Sequence, residues 1–154
     1  MENNLKYIYL FILLFLLGSC RKNNETSEFT VDPPYQYKVE YMKDTIRITD
    51  INLKDPTEED ISIWVKKNGK YYANGELMMS TEENTDSFST RFFTGSPVKG
   101  VSMTRKIGKN LYSNKTYFEF APHYWQMHNA IIYDSSYRII KFQNMLKCDF
   151  TLKK

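Results

Sequence analysis

The sequence predicts an all-β fold: one antiparallel β-sandwich or barrel-like domain, with at most one short helix near 56–67. Three observations point there. From Tyr35 onward, apolar residues alternate with polar ones in short runs, the period of a half-buried strand. Turn-forming residues interrupt these runs about every 8–12 residues. No long segment carries the 3.6-residue apolar period of a core-facing helix. Short strands at that spacing are the pattern of antiparallel sandwiches and barrels.

The elements follow in order. Tyr35, Tyr37, Val39 and Tyr41 alternate with polar residues and predict the first strand. Thr45 to Leu53 predicts the second; Ile46 and Ile48 share one face, Ile51 and Leu53 the other, so a bulge or bend is expected near Thr49-Asp50. Asp55-Pro56 followed by Glu58-Glu59-Asp60 offers a helix start, and Lys66-Lys67-Asn68-Gly69 a helix end. Against that helix, Ile61-Ser62-Ile63-Trp64-Val65 is β-branched and alternating, and Asn68-Gly69 is a strong hairpin signal. A turn followed by a strand is the favoured outcome. Strands are then expected at Phe88 to Phe93, Val101 to Ile107, Thr116 to Ala121, Ile131 to Tyr133, Tyr137 to Phe142 and Met145 to Leu152.

Residues 1–20 are of a different kind. Lys6 gives a positive start, Tyr7 to Leu17 is apolar, and small residues follow. A run of about 10–14 apolar residues cannot span a bilayer, which takes about 20, and this three-part layout marks a secretory signal. The junction Leu17-Gly18-Ser19-Cys20 resembles the lipobox of bacterial lipoproteins. The resemblance implies cleavage between Ser19 and Cys20, a thioether-linked diacylglycerol on Cys20, and usually a further acyl chain on its new amino group. One acyl chain holds a protein marginally, whereas two or more anchor it firmly. Arg21, where an Asp would retain such proteins in the inner membrane of Gram-negative families, favours the outer membrane; the face of the membrane stays open. The expected layout is a cleaved signal over 1–19, a lipidated Cys20 with a flexible tether over 20–34, and a β-rich domain over 35–154.

Removing residues 1–19 leaves 135 residues, enough for one core. The charges become 20 basic against 17 acidic, still +3. That balance, without a basic run interleaved with aromatics, gives no case for nucleic acid. With Cys20 lipidated, Cys148 has no partner in the chain, so no disulfide is expected. Cys148 shares a face with Leu146, Phe150 and Leu152 and is expected as a small buried residue.

Chemistry-bearing patterns are few. His123 and His128 are five residues apart and match no metal-ligand spacing, so no metal and no cofactor are expected. Ser96-Pro97-Val98-Lys99 matches the Ser-x-x-Lys pattern but lacks its companion motifs. Carboxylates cluster at Glu58-Glu59-Asp60 and Glu82-Glu83; a glycosidase would need two of them set across a cleft. No nucleophile elbow or phosphate loop occurs, so catalysis is not expected.

An aromatic followed by turn residues recurs at Tyr72, Phe93, Tyr112 and Tyr133. The segment Tyr71-Tyr72-Ala73-Asn74-Gly75-Glu76-Leu77 resembles MORN-like hairpin repeats, although later copies lose the Asn-Gly pair and the Leu. A plain meander returns at the same interval of about 20 residues, twice the usual strand spacing. Candidate binding residues are the aromatics Tyr124, Trp125, Trp64, Tyr71 and Tyr72, because an outward ring can stack on a sugar or anchor a protein contact. The expected function is a lipid-anchored, non-catalytic module that engages another envelope protein. A carbohydrate-binding module, and an immunity or inhibitor protein against a toxin or wall-degrading enzyme, are the alternatives.

The anchor is directly testable. Cys20→Ala should abolish metabolic labelling by palmitate and move the protein from the membrane pellet to the soluble fraction; continued labelling of that variant would remove the lipobox assignment.

Overall fold

The computed structural model describes residues 25–30, 35–55, 57, 59–144 and 149–152. The segment expected as a signal, Cys20 and Cys148 lie outside them. Twelve antiparallel strands run in chain order: β1 Glu25–Thr30, β2 Tyr35–Met42, β3 Thr45–Asn52, β4 Glu59–Lys67, β5 Lys70–Ala73, β6 Glu76–Met79, β7 Thr85–Phe93, β8 Ser96–Gly108, β9 Leu111–Ala121, β10 Tyr124–Asp134, β11 Ile139–Asn144 and β12 Asp149–Leu152. The ladder order is β6-β5-β4-β3-β2-β1-β12-β11-β10-β9-β8-β7. All-β architecture is thus observed, as the alternation predicts.

The ladder is thin at its centre. Among the described residues, β1 meets β12 at Phe29↔Leu152 and Thr30↔Thr151, and the molecule divides into two antiparallel halves, β1–β6 and β7–β12. The halves fold face to face as an open sandwich. Its ends, β6 and β7, do not pair, and the sheet does not close into a barrel.

Turn chemistry explains the hairpins. Asn68-Gly69, Asn74-Gly75 and Thr94-Gly95 each place two successive residues at positive φ, between 47° and 83°. That is the two-residue hairpin turn whose twist matches the flanking strands. Gly is needed at the second position because a side chain there is strained.

The core forms where the two inner faces meet. Phe29, Val39, Ile46, Ile48 and Trp64 of the first half pack with Tyr112, Ile131, Tyr133, Ile139 and Phe142 of the second. The β5–β6 hairpin lies between them, and every residue of β6 is buried. A buried strand at a sheet end leaves backbone groups of the hairpin and its flanks to satisfy, and side chains of the opposite half bond several of them. Tyr133 Oη donates to Ser80 C=O at 2.6 Å and accepts from Ser80 N–H at 2.9 Å. Tyr137 Oη donates to Gly69 C=O and accepts from Thr81 N–H. Asn114 Nδ2 donates to Leu77 C=O at 3.4 Å. Burial raises the Tyr133 hydroxyl to about 12, so it remains a donor at every physiological pH.

Several expectations are corrected. Glu25–Thr30 is a strand, not part of a tether; its fully buried Phe29 packs edge-on against Phe142, and one apolar residue among polar neighbours gave no alternation to detect. By contrast, the favoured turn followed by a strand is found: Asp55 caps a turn, accepting from Thr57 N–H and Oγ1, and Glu59–Lys67 is strand β4. The register of β3 runs uninterrupted through Thr49 and Asp50, so no bulge is present there; Asp50 keeps the phase of Ile46 and Ile48 and occupies an inward position that an apolar residue would normally hold. Ser113-Asn114 sits inside β9 rather than in a turn.

Tyr133→Phe should strip the Ser80 backbone of both bonds at no cost in ring packing. A loss of about 1–3 kcal/mol is expected from leaving buried groups unpaired, measurable by urea unfolding; unchanged stability would mean that Ser80 finds water instead.

Candidate functional site

The site is built where the first half's ladder runs short. β5 pairs with β4 at Val65↔Tyr72, Lys66↔Tyr71 and Lys67↔Lys70, so among the described residues no strand pairs with 59–64 of β4 on that side. Across the opening runs β7, which pairs with β8 alone. The opening between them is a cleft of about 750 Å³, lined by Asp60 to Ile63, by Asn74 to Glu76 and by Phe88 to Phe92.

The hairpins fix which backbone groups face this cleft. In an antiparallel ladder, hydrogen-bonded and non-bonded pairs alternate, and a two-residue turn is flanked by a bonded pair. Lys67↔Lys70 and Phe93↔Ser96 are those bonded pairs. Counting back by twos aims the N–H and C=O of Ile61 and Ile63 away from β3, and those of Phe88, Thr90 and Phe92 away from β8. Both strands therefore present unpaired backbone to the same opening. Pro97, opposite Phe92, occupies a non-bonded position, where its missing N–H removes nothing from the β7–β8 ladder.

The side chains alternate accordingly. Ile61, Ile63, Phe88 and Phe92 point outward and are 45%, 46%, 81% and 73% exposed, an apolar rim on both sides. Asp60, Ser62, Ser89 and Arg91 point inward. Behind them lies a second space of about 240 Å³ that shares Asp60, Ser62, Asn74 and Arg91 with the cleft. Its deeper wall is Tyr37, Asp50, Trp64, His128, Asn129, Phe142 and Gln143.

The electrostatics of this inner pocket are uneven. Asp50 and Asp60 are direct cross-strand partners, which puts their Cβ atoms about 5 Å apart. Burial raises the Asp50 carboxyl above its ordinary value of 3.8; a hydrogen bond from Tyr37 pulls it back, and Asp60 pushes it up again. Asp50 Oδ1, His128 Nδ1 and Asn129 Oδ1 are buried with no hydrogen-bond partner among the described residues. Arg91 is the wall's cation, but Glu76 holds it through Nε at 2.5 Å and through Nη2, and its guanidinium sits over Phe118. Burial and the nearby Arg91 lower the His128 pKa, opposed by Glu76. Both effects favour the neutral imidazole over the charged one. Neither Asp50 nor Asp60 forms an ion pair among the described residues.

The aromatics singled out from sequence go to separate places. Trp64 and Tyr71 are core residues, Trp64 bonding Ser62 Oγ through Nε1 at 2.9 Å. Tyr72 is half-buried. Tyr124 and Trp125 are exposed at the start of β10, opposite Ala121 and Glu119. Only Trp64 reaches the pocket, as part of its wall. His123 occupies a turn at positive φ with its N–H on Glu119, whereas His128 lines the pocket. Glu82 and Glu83 are engaged by Lys70 and Lys106. Ser96 and Lys99 lie on strand β8, not on a helix. Among the described residues, no group of three or more His, Cys, Asp or Glu side chains could hold a metal ion. Asp50, Arg91, Asn129 and the edges of β4 and β7 carried no motif; an acidic residue in the phase of Ile46 and Ile48 was the one available signal.

Comparison with family models, with curated proteins and with solved structures gave no match.

A carboxyl whose pKa is raised on folding holds its proton where the unfolded chain has released it, so stability falls as pH rises from 3.8 toward the raised value. Asp50→Asn removes that penalty. The variant should unfold at higher urea than the parent at pH 7, with the difference vanishing below pH 3.8; a variant less stable at pH 7 would mean that burial is not what governs this carboxyl.

Proposed function

We propose that this chain is a lipid-anchored envelope protein whose β domain binds an extended segment of another envelope protein in the cleft between β4 and β7. The observation that carries the proposal is the facing pair of unpaired strand edges with apolar side chains beside them. An open edge is a template for added strands, and proteins normally shorten it, charge it or cover it. Here both edges are left with Ile61, Ile63, Phe88 and Phe92 exposed. Main-chain hydrogen bonds from such edges supply affinity for an extended peptide, and pockets for alternate side chains supply selectivity. The lipobox resemblance at Leu17-Gly18-Ser19-Cys20 supports the location.

Proline at position 63 separates edge binding from folding. The Ile63 N–H faces the cleft, so its loss takes no bond from the β3 ladder, and proline is tolerated at such edge positions. Full-length Ile63→Pro should keep the parent's urea midpoint while losing at least tenfold of its retention of whichever envelope protein the parent holds stoichiometrically. Equal retention by parent and variant would place binding elsewhere, with Tyr124 and Trp125 the next surface to substitute.

A further inference from the structure

We infer that the segment bound in this cleft carries a lysine or arginine whose charged end enters the inner pocket between Asp50 and Asp60. The inference rests on the edge-binding proposal and deepens it by naming the chemistry of the bound strand.

The geometry sets an alternation on any strand laid between β4 and β7. Side chains on its outer face meet Ile61 and Ile63 on one side and Phe88 and Phe92 on the other. Those on its inner face pass over Asp60, Ser62, Ser89 and Arg91. The fitting sequence is therefore apolar at one parity and polar at the other.

The polar parity is further specified by charge. The inner space of about 240 Å³ is several times the roughly 30 Å³ share of one water, room for the end of a long side chain. Two carboxylates face it from adjacent strands, and like charges directly opposite on a sheet destabilise it. Arg91 does not relieve them because Glu76 holds it. Of the pocket's buried atoms that lack partners among the described residues, Asp50 Oδ1 and Asn129 Oδ1 are acceptors, beside His128 Nδ1. A cationic donor satisfies both needs at once, whereas a glutamate in its place adds a third negative charge. A second copy of the chain fits poorly as the occupant: its β4 would bring another Asp60 against this one.

The test uses the full-length protein in detergent and three ten-residue peptides, capped at both ends, that alternate valine with lysine, glutamine or glutamate. Affinities are read by calorimetry against the parent, Asp50→Asn, Asp60→Asn, Ile63→Pro and, as an unrelated charge change, Glu83→Gln. The lysine peptide should bind at least tenfold tighter than the glutamine peptide, and the glutamate peptide not at all. Asp50→Asn and Asp60→Asn should erase the lysine preference, and Glu83→Gln should behave as the parent. Equal binding of the lysine and glutamine peptides, both lost in Ile63→Pro, would overturn the cationic preference and leave edge binding standing. Lysine-peptide binding that survives Ile63→Pro unchanged, or no binding of any peptide at millimolar concentration, would overturn both. Self-association that Ile63→Pro abolishes and the lysine peptide does not compete with would make a second copy the occupant and overturn the inference.

Discussion

The Tyr133 hydroxyl, which both donates to and accepts from the backbone of Ser80, decides how this sheet ends. Two strands that met at the seam would share a ladder and close a barrel. Here the meeting is made by side chains instead: Tyr133 on Ser80, Tyr137 on Gly69 and Thr81, Asn114 on Leu77, Arg91 on Glu76. Ser80, Leu77 and Glu76 are buried, and leaving such groups unpaired would cost about 1–3 kcal/mol each. Each contact also stands a side chain's length between elements, so β6 sits against the inner faces of β7–β9 without pairing to them. The β5–β6 hairpin is drawn inward by these bonds and stops short of the lower half of β4. The open edges of β4 and β7 are the direct consequence.

Such a gap needs protection from indiscriminate pairing, because exposed edges with apolar residues invite aggregation. In the proposed binding mode, Asp50 and Asp60 supply selectivity of the kind that works by exclusion. A strand with acidic residues at its inner parity would be repelled, and one with apolar residues there would leave buried acceptors unpaired. Proteins restrict edges with inward charges for the same reason. The same two aspartates thus discourage self-pairing through β4 and set the chemistry of an acceptable partner. Asp50 is also held above its ordinary carboxyl range by burial, so the fold tolerates a strained inward charge that a valine at this position would avoid.

Fold class was legible because alternation and turn residues are local signals. Asn68-Gly69, Asn74-Gly75 and Thr94-Gly95 each formed the turn their chemistry demands, and Ile61-Ser62-Ile63-Trp64-Val65 formed a strand where a capped helix start preceded it. β1 was not legible: its stability comes from Phe29 packing on Phe142, more than a hundred residues away, and from partners on both sides. The site was hidden for a related reason. Asp50 broke the apolar phase of β3 and suggested a bulge, because sequence alone gives no account of an inward carboxylate. Its partners His128, Asn129 and Gln143 come from β10 and β11, brought near only by the folding of one half over the other. Of the aromatics chosen for binding, Trp64 was the one that turned out to wall the site, and it does so from the core.

The early start of β1 bears on where a partner must be. A tether running to Pro34 would let the domain range widely, since an extended chain spans about 3.3–3.6 Å per residue. With Glu25 already in the sheet, only five peptide units separate it from Cys20, a reach of about 17 Å at full extension. With Cys20 lipidated as proposed, the domain stays close to the bilayer surface. Confinement of that kind raises the effective concentration of any partner held on the same membrane and lowers it for one that cannot approach. A segment of modest intrinsic affinity, donated by a neighbouring membrane-bound protein, is then enough to fill the cleft. The extended, alternating and basic strand proposed as the occupant is accordingly best sought in the membrane-proximal parts of envelope proteins.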